Sequence, residues 1–139
     1  MRVVLDSKVY VSAFVVPGGG ASQLIAALLR GRATPLISRP IMAEVLGVLG
    51  RKFAADREQL ARTALFLSGF AEQVVPGERL HVVSDEPDNR ILECAVTGHA
   101  GWIVSGDRQM LKFGCFNGVQ IVTVRAMHEY VADSPSNQG

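Results

Sequence analysis

The chain opens with Arg2-Val3-Val4-Leu5-Asp6, an apolar β-type run that stops at a carboxylate. Strands of this kind are usually buried on both faces, inside a parallel sheet. An acid at the end of such a strand must be paired, hydrogen-bonded or bound to a cation, because an isolated buried charge costs many kcal/mol. That requirement limits both the fold and the chemistry open to the chain.

Beyond this strand the pattern alternates between strand and helix. Pro17-Gly18-Gly19-Gly20 reads as a flexible loop, followed by a helix from about Ala21 to Arg30, with Leu24 and Leu28, and Ile25 and Leu29, at four-residue spacing. Thr34 to Ser38 reads as a strand, and Pro40 suits the first turn of a helix carrying Met42, Val45, Leu46 and Leu49 on one stripe. Asp56 with Gln59 forms a capping-box signature for a long helix through Leu60, Leu67 and Phe70. Val82-Val83 reads as extended, and Pro87-Asp88 opens a helix that runs to Thr97 and stops at Gly98. Trp102–Ser105 is a strand, Arg108–Lys112 a helical turn, Gln120–Val122 a last strand and Met127–Val131 a closing helix. No repeat or linker interrupts the order. The expectation is one three-layer α/β domain over residues 1–132, with a mostly parallel sheet, and a polar, disordered tail over 133–139.

Composition narrows the classes. A chain of 139 residues suits one domain with a real core, and 48% hydrophobic with 19% charged residues excludes a disordered one. No apolar run reaches the length of a membrane span, and Asp6 interrupts the layout of a secretory signal, so no membrane partner is expected. Cys94 and Cys115, without zinc-finger spacing, suggest reduced thiols and a cytoplasmic protein. A net charge of +1 means that any nucleic-acid contact must come from a local patch. Eleven of the fourteen basic residues are arginine, which suits bidentate phosphate contacts. Arg30, Arg32 and Arg39 bracket the second strand, while Arg90 and Arg108 adjoin acids and are the candidate phosphate contacts. The plain alternative is that these arginines are solvated helix ends.

Four acids stand out on this frame. Asp6 and Asp107 follow strands, so they would emerge together beyond the carboxyl ends of a parallel sheet, where ligands bind. Asp88 lies at a helix start, and Glu44 is the only charged residue between Pro40 and Gly50. Singly, Asp88 and Asp107 also fit ordinary cap and turn roles. Together, four carboxylates repel unless a cation lies between them, and hard ions such as Mg²⁺ or Mn²⁺ choose all-oxygen sites. Such a site can hold a phosphodiester and activate water.

These residues carry a resemblance. Val4-Leu5-Asp6-Ser7 with Val11-Ser12-Ala13, Ser38 to Val45, Asp88 to Ala95 and Ile103 to Arg108 together resemble PIN-domain proteins, specifically the VapC-type toxins of toxin–antitoxin systems. The resemblance spans about Arg2 to Tyr130. It implies a parallel sheet sandwiched by helices and a Mg²⁺- or Mn²⁺-dependent endoribonuclease. It further implies an RNA substrate, a cognate antitoxin and a homodimer. By resemblance Asp6, Glu44, Asp88 and Asp107 are the catalytic, metal-binding acids, with Ser7 supporting them.

Two positions depart from the family pattern. Lys8 replaces the usual Asn, and Gln109 stands where an acid is common. A Lys8 ammonium turned inward would compete with a metal, whereas one turned outward would leave the site open. The alternative function is therefore a catalytically weak or inactive PIN domain that binds RNA or protein. Other motifs carry less. Gly18-Gly19-Gly20 lacks the third glycine of a dinucleotide fingerprint. His81, His99 and His128 are scattered. Cys94 reads as a small core residue, and Ser12, Ser38 and Ser105 are not in a nucleophile elbow. Glu93 falls on the side of its helix away from Asp88 and reads as a surface charge, or else as a group behind the acids.

Overall fold

The computed structural model describes residues 1–133. Of the expected tail, 134–139 lies outside the described residues, and Asp133 is the last residue of a helix. Strand β1 (Arg2–Leu5) runs straight into helix α1 (Ser7–Val15), followed by α2 (Gly20–Leu29) and β2 (Thr34–Ile37). Helices α3 (Arg39–Phe53) and α4 (Arg57–Phe70), the short strand β3 (Glu72–Gln73) and α5 (Glu86–Thr97) come next. The chain closes with β4 (Trp102–Val104), α6 (Arg108–Phe113), β5 (Cys115–Phe116), β6 (Val119–Val122) and α7 (Val124–Asp133).

The six strands form one sheet in the order β3-β2-β1-β4-β6-β5. Every pairing is parallel except β5 with β6. Val4 pairs with Leu36 on one side and Ile103 on the other, so β1 is central, with Val3, Val4 and Leu5 fully buried. Strand order reverses between β1 and β4, because the chain builds outward through β2 and β3 before α5 returns it to β4. In open parallel sheets this reversal opens a crevice at the strands' carboxyl ends.

Local chemistry explains several boundaries. Asp6 caps α1 by accepting the Lys8 amide at 3.1 Å. The sequence pattern assigns no element to 7–15, and these residues form helix α1 because Val9, Tyr10, Val11 and Ala13 bury into the core. Val9 and Val11 are β-branched and favour strands locally, and packing overrides that weak preference. The box of Asp56 and Gln59 is formed from both sides, at 2.8 Å each. The hairpin between β5 and β6 turns through Asn117 and Gly118, both at positive φ as a two-residue turn requires. Arg32 donates to the carbonyls of Val131 and Ala132, capping the end of α7, so this arginine serves a helix end.

The core gathers β1, β2 and β4 with Tyr10, Leu24, Ile41, Leu67, Ile91, Leu92 and Met127, all at most 1% exposed. Cys94 lies within it, and burial pushes its thiol up to about 12. No single helix among the described residues is long and apolar enough to cross a membrane. Helices α1 and α2 have the combined length, but they meet at 103° and bury their apolar faces.

Gly98 ends α5 where there is no room for a side chain. A Cβ there would lie 2.7 Å from Leu36 Cδ1 and 3.0 Å from both Val74 Cγ2 and the Cys94 carbonyl. We expect Gly98→Ala to cost about 1–3 kcal/mol in urea unfolding; a midpoint equal to wild type would mean that β2 and α5 yield freely there.

Candidate active site

Strands β1 and β4 end side by side, and the Asp6 amide donates to the Val104 carbonyl at 2.9 Å. Their next residues therefore meet. Asp6 is 2% exposed, and both of its carboxylate oxygens are engaged. Ser7 Oγ and the Lys8 amide donate to Oδ1, at 3.3 and 3.1 Å, and Ser105 Oγ donates to Oδ2 at 2.8 Å. The same Ser105 hydroxyl accepts the Asp107 amide at 3.0 Å, so one buried serine links the two acids. Asp107 caps α6, accepting the amides of Gln109 and Met110 at 2.8 and 3.2 Å. Partial burial opposes ionisation of Asp107, but these amides and Lys8 outweigh it and hold the carboxyl below its usual range.

Lys8 turns inward at its tip. Its side chain is 67% exposed, yet Nζ lies 3.4 Å from Asp107 Oδ2. Desolvation would lower its pKa, but Asp107, Asp6 and Asp88 together raise it. The ammonium is thus held over the acids rather than lost to solvent.

Asp88, in the first turn of α5, completes the group. It is 3% exposed, and its Oδ2 has no hydrogen-bond partner. Burial pushes its carboxyl up to about 7, and the charges of Asp6, Asp85 and Asp107 add to the shift, with Lys8 opposing them. Asp85 is an acid that the sequence pattern did not single out. It occupies the N-cap position of α5 without making a capping bond, and its Oδ1 is buried and unpartnered.

Glu44 shares a groove with Ser7 and Pro87, the sequence neighbours of Asp6 and Asp88. Glu44 is half-buried on α3 and lines an adjoining groove of about 360 Å³ with Ser7, Arg79, Glu86 and Arg90. Asp6, Asp88 and Asp107 thus lie together with Asp85 beside them, and Glu44 lines the groove alongside. Among the described residues, no group of three or more His, Cys, Asp or Glu is arranged to hold a metal ion unaided. The donor chemistry nonetheless fits a hard divalent cation: oxygen atoms only, a buried orphan oxygen on Asp88, and mutually repelling charges around it. Mg²⁺ in particular is commonly held by one or two carboxylates plus water and substrate phosphates.

Two other expectations change. Arg90, a candidate phosphate contact, is only 9% exposed and committed to the protein. It pairs with Glu93 at 3.0 Å and Glu86 at 3.4 Å and donates to the Leu80 carbonyl at 3.0 Å. Glu93 is 4% exposed, not a surface charge, and accepts the Leu80 amide at 2.7 Å. Asn89 completes the clamp by accepting the amides of Val82 and Val83, both at 2.9 Å. These contacts fix the segment that leads into Asp85. Arg108 is exposed beside Asp107, where it remains open to a phosphate.

Because the Asp88 carboxyl is raised from 3.8 to about 7, the folded chain keeps a proton that the unfolded chain has released. Its contribution to stability is therefore greatest at acid pH, falls as pH rises through that window and levels off above it. In chelator, Asp88→Asn should gain on wild type between about pH 5 and pH 8, by about 5 °C in Tm at the upper end. A difference that does not change with pH would rule Asp88 out as the titrating group. Glu93→Ala should cost about 3–5 kcal/mol in urea unfolding, because it strands a buried guanidinium; a loss below about 1 kcal/mol would mean that Arg90 finds another partner.

A family model described as PIN domain matches residues 2–109. The uncharacterized protein MJ1680 of Methanocaldococcus jannaschii is 23% identical over 115 residues, which is 80% of this chain and 74% of that protein. A chain in the crystal structure of VapBC2 from Rickettsia felis, bound to a DNA fragment from their promoter, matches with a TM-score of 0.63 at 20% identity. That match covers 88% of this chain and 98% of the other, and it is a similarity of fold. The matched residues run from β1 into α6 and contain Asp6, Glu44, Asp88 and Asp107, so the chain belongs to the PIN-domain family.

Proposed function

We propose that the chain is a Mg²⁺- or Mn²⁺-dependent endoribonuclease, the toxin of a toxin–antitoxin pair, with Asp6, Asp88 and Asp107 at its centre. What carries this reading is Asp88, a buried carboxyl with an unpartnered oxygen, pressed by neighbouring acids at the switch point of the sheet. A group so placed favours a cation. When bound, the divalent ion supplies water activation and charge neutralisation on a phosphodiester. Asp6 is held ready by Ser7 and Ser105, and Asp107 by the amides of α6. Lys8 and Arg108 present positive charge at the mouth, where an incoming phosphate passes. Glu44 faces the adjoining groove, a place for a neighbouring nucleotide rather than for the scissile bond.

The fold shared with VapBC2 supports an antitoxin partner. A second support is an open groove of about 600 Å³ in which Phe14, Val15, Leu49, Phe53 and Phe66 are joined by Gln59, Arg62 and Thr63, a mixed surface suited to an amphipathic partner helix. Exposed Leu65, Phe53 and Val16 are also compatible with a homodimer. One contact favours the second reading, a weak or inactive binding module: the Lys8 ammonium already lies against Asp107.

With Mn²⁺ and single-stranded RNA, wild type should cleave, and Asp6→Asn should slow cleavage at least about 100-fold. Ser105→Ala, which frees both acids from their shared hydroxyl, should slow it about 10- to 100-fold. Cleavage that survives in Asp6→Asn would sink the site assignment, and RNA bound but never cut by wild type would favour the binding module.

A further inference from the structure

Helices α3 and α5 pack against each other, and each carries a proline in its first turn, Pro40 and Pro87. The groove of about 360 Å³ between these two helix starts adjoins the acidic cluster through Ser7 and Pro87. That size is at the small end of ligand clefts. Its apolar lining comes from Pro40, Ile41, Pro87 and Ile91, and its charges are of two kinds. Glu86 and Arg90 are paired with each other at 3.4 Å. Glu44 and Arg79 are not paired: among the described residues, neither side chain makes a hydrogen bond or an ion pair. The groove thus offers one free carboxylate and one free guanidinium over an apolar surface, a combination that suits a flat ligand with polar edges.

Proteins read single-stranded RNA by taking bases out of the stack and hydrogen-bonding their edges. A carboxylate only accepts hydrogen bonds, and a guanidinium only donates them. Guanine alone among the four bases sets two neighbouring N–H donors, at N1 and N2, beside two acceptors, O6 and N7. Adenine and cytosine would turn a ring-nitrogen lone pair toward the carboxylate, and uracil has a single N–H between two carbonyls. We propose that the groove takes a guanine base of the RNA beside the scissile phosphate, with Glu44 accepting from N1–H and N2–H and Arg79 donating to O6 and N7. The base selected follows from the groove itself, while its place beside the scissile bond rests on the nuclease reading above.

The test has two arms, both on the full chain. In chelator and without RNA, calorimetry should show GMP bound at least about tenfold tighter than AMP, CMP or UMP. Arg79→Met should weaken GMP about fivefold or more and leave AMP within about twofold. Glu44→Gln, whose amide pairs a donor with an acceptor, should move the preference toward AMP. Equal affinity for the four nucleotides, no binding of any at millimolar concentration, or a GMP preference unchanged in either variant would each overturn the proposal. So would displacement of GMP by inorganic phosphate but not by guanosine, because a phosphate site would then hold the nucleotide. The second arm maps cuts in a mixed-sequence RNA with Mn²⁺. Cuts beside guanine assign the groove to the substrate; cuts without base preference would overturn that assignment and leave the nuclease reading standing. GMP selected with no RNA cut would remove the nuclease reading and leave the guanine site to the binding module.

Discussion

Repulsion among carboxylates gathered at the edge of a buried sheet is the force to which the rest of this molecule answers. The fold brings Asp6, Asp88 and Asp107 together because β1 and β4 are adjacent and α5 starts above their ends. Each acid is treated differently by its surroundings. Asp6 is saturated with donors, Asp107 is stabilised by helix amides and a lysine, and Asp88 is left short. The helix amides and Lys8 hold the Asp107 carboxyl below its usual range, whereas burial and its neighbours push Asp88 up to about 7. A gradient of this kind separates roles among chemically similar side chains.

The supports behind these acids matter as much as the acids themselves. Ser105 bonds one aspartate through its hydroxyl hydrogen and another through its oxygen, so the spacing of Asp6 and Asp107 is set by a single buried atom. The ion pair of Arg90 and Glu93 lies one turn deeper in α5 and touches no acid of the cluster directly. Such a pair is costly to bury and is retained where it fixes geometry. Here it fixes the approach to Asp85.

Much of this was legible in the chain. Helices α2 to α5 and the strands β1, β2, β4 and β6 follow from periodicity, caps and breakers, and the strand ends placed Asp6 and Asp107 correctly. Helix α1 was not legible, because Val9 and Val11 favour strands locally and become helical only through burial against the core. The hairpin strand β5 was signalled by Asn117-Gly118 but is only two residues long. The apolar neighbours of Glu44 on α3 imply burial without saying which cavity it faces, and the structure supplies the groove it shares with Ser7. Asp85 was hidden for the opposite reason: two residues before a proline at a helix start it looks like an ordinary cap, and only the missing cap bond sets it apart.

Residues 80–83 belong to no strand, yet their amides are not left to water. Leu80, Val82 and Val83 donate to side chains of α5, and Arg90 holds Leu80 from the other side by donating to its carbonyl. The segment therefore borrows its order from α5 and has little of its own. It should open only when the first turns of that helix open, as one cooperative unit in the native state. A loop that is lost only together with the helix it feeds cannot act as a hinge of its own.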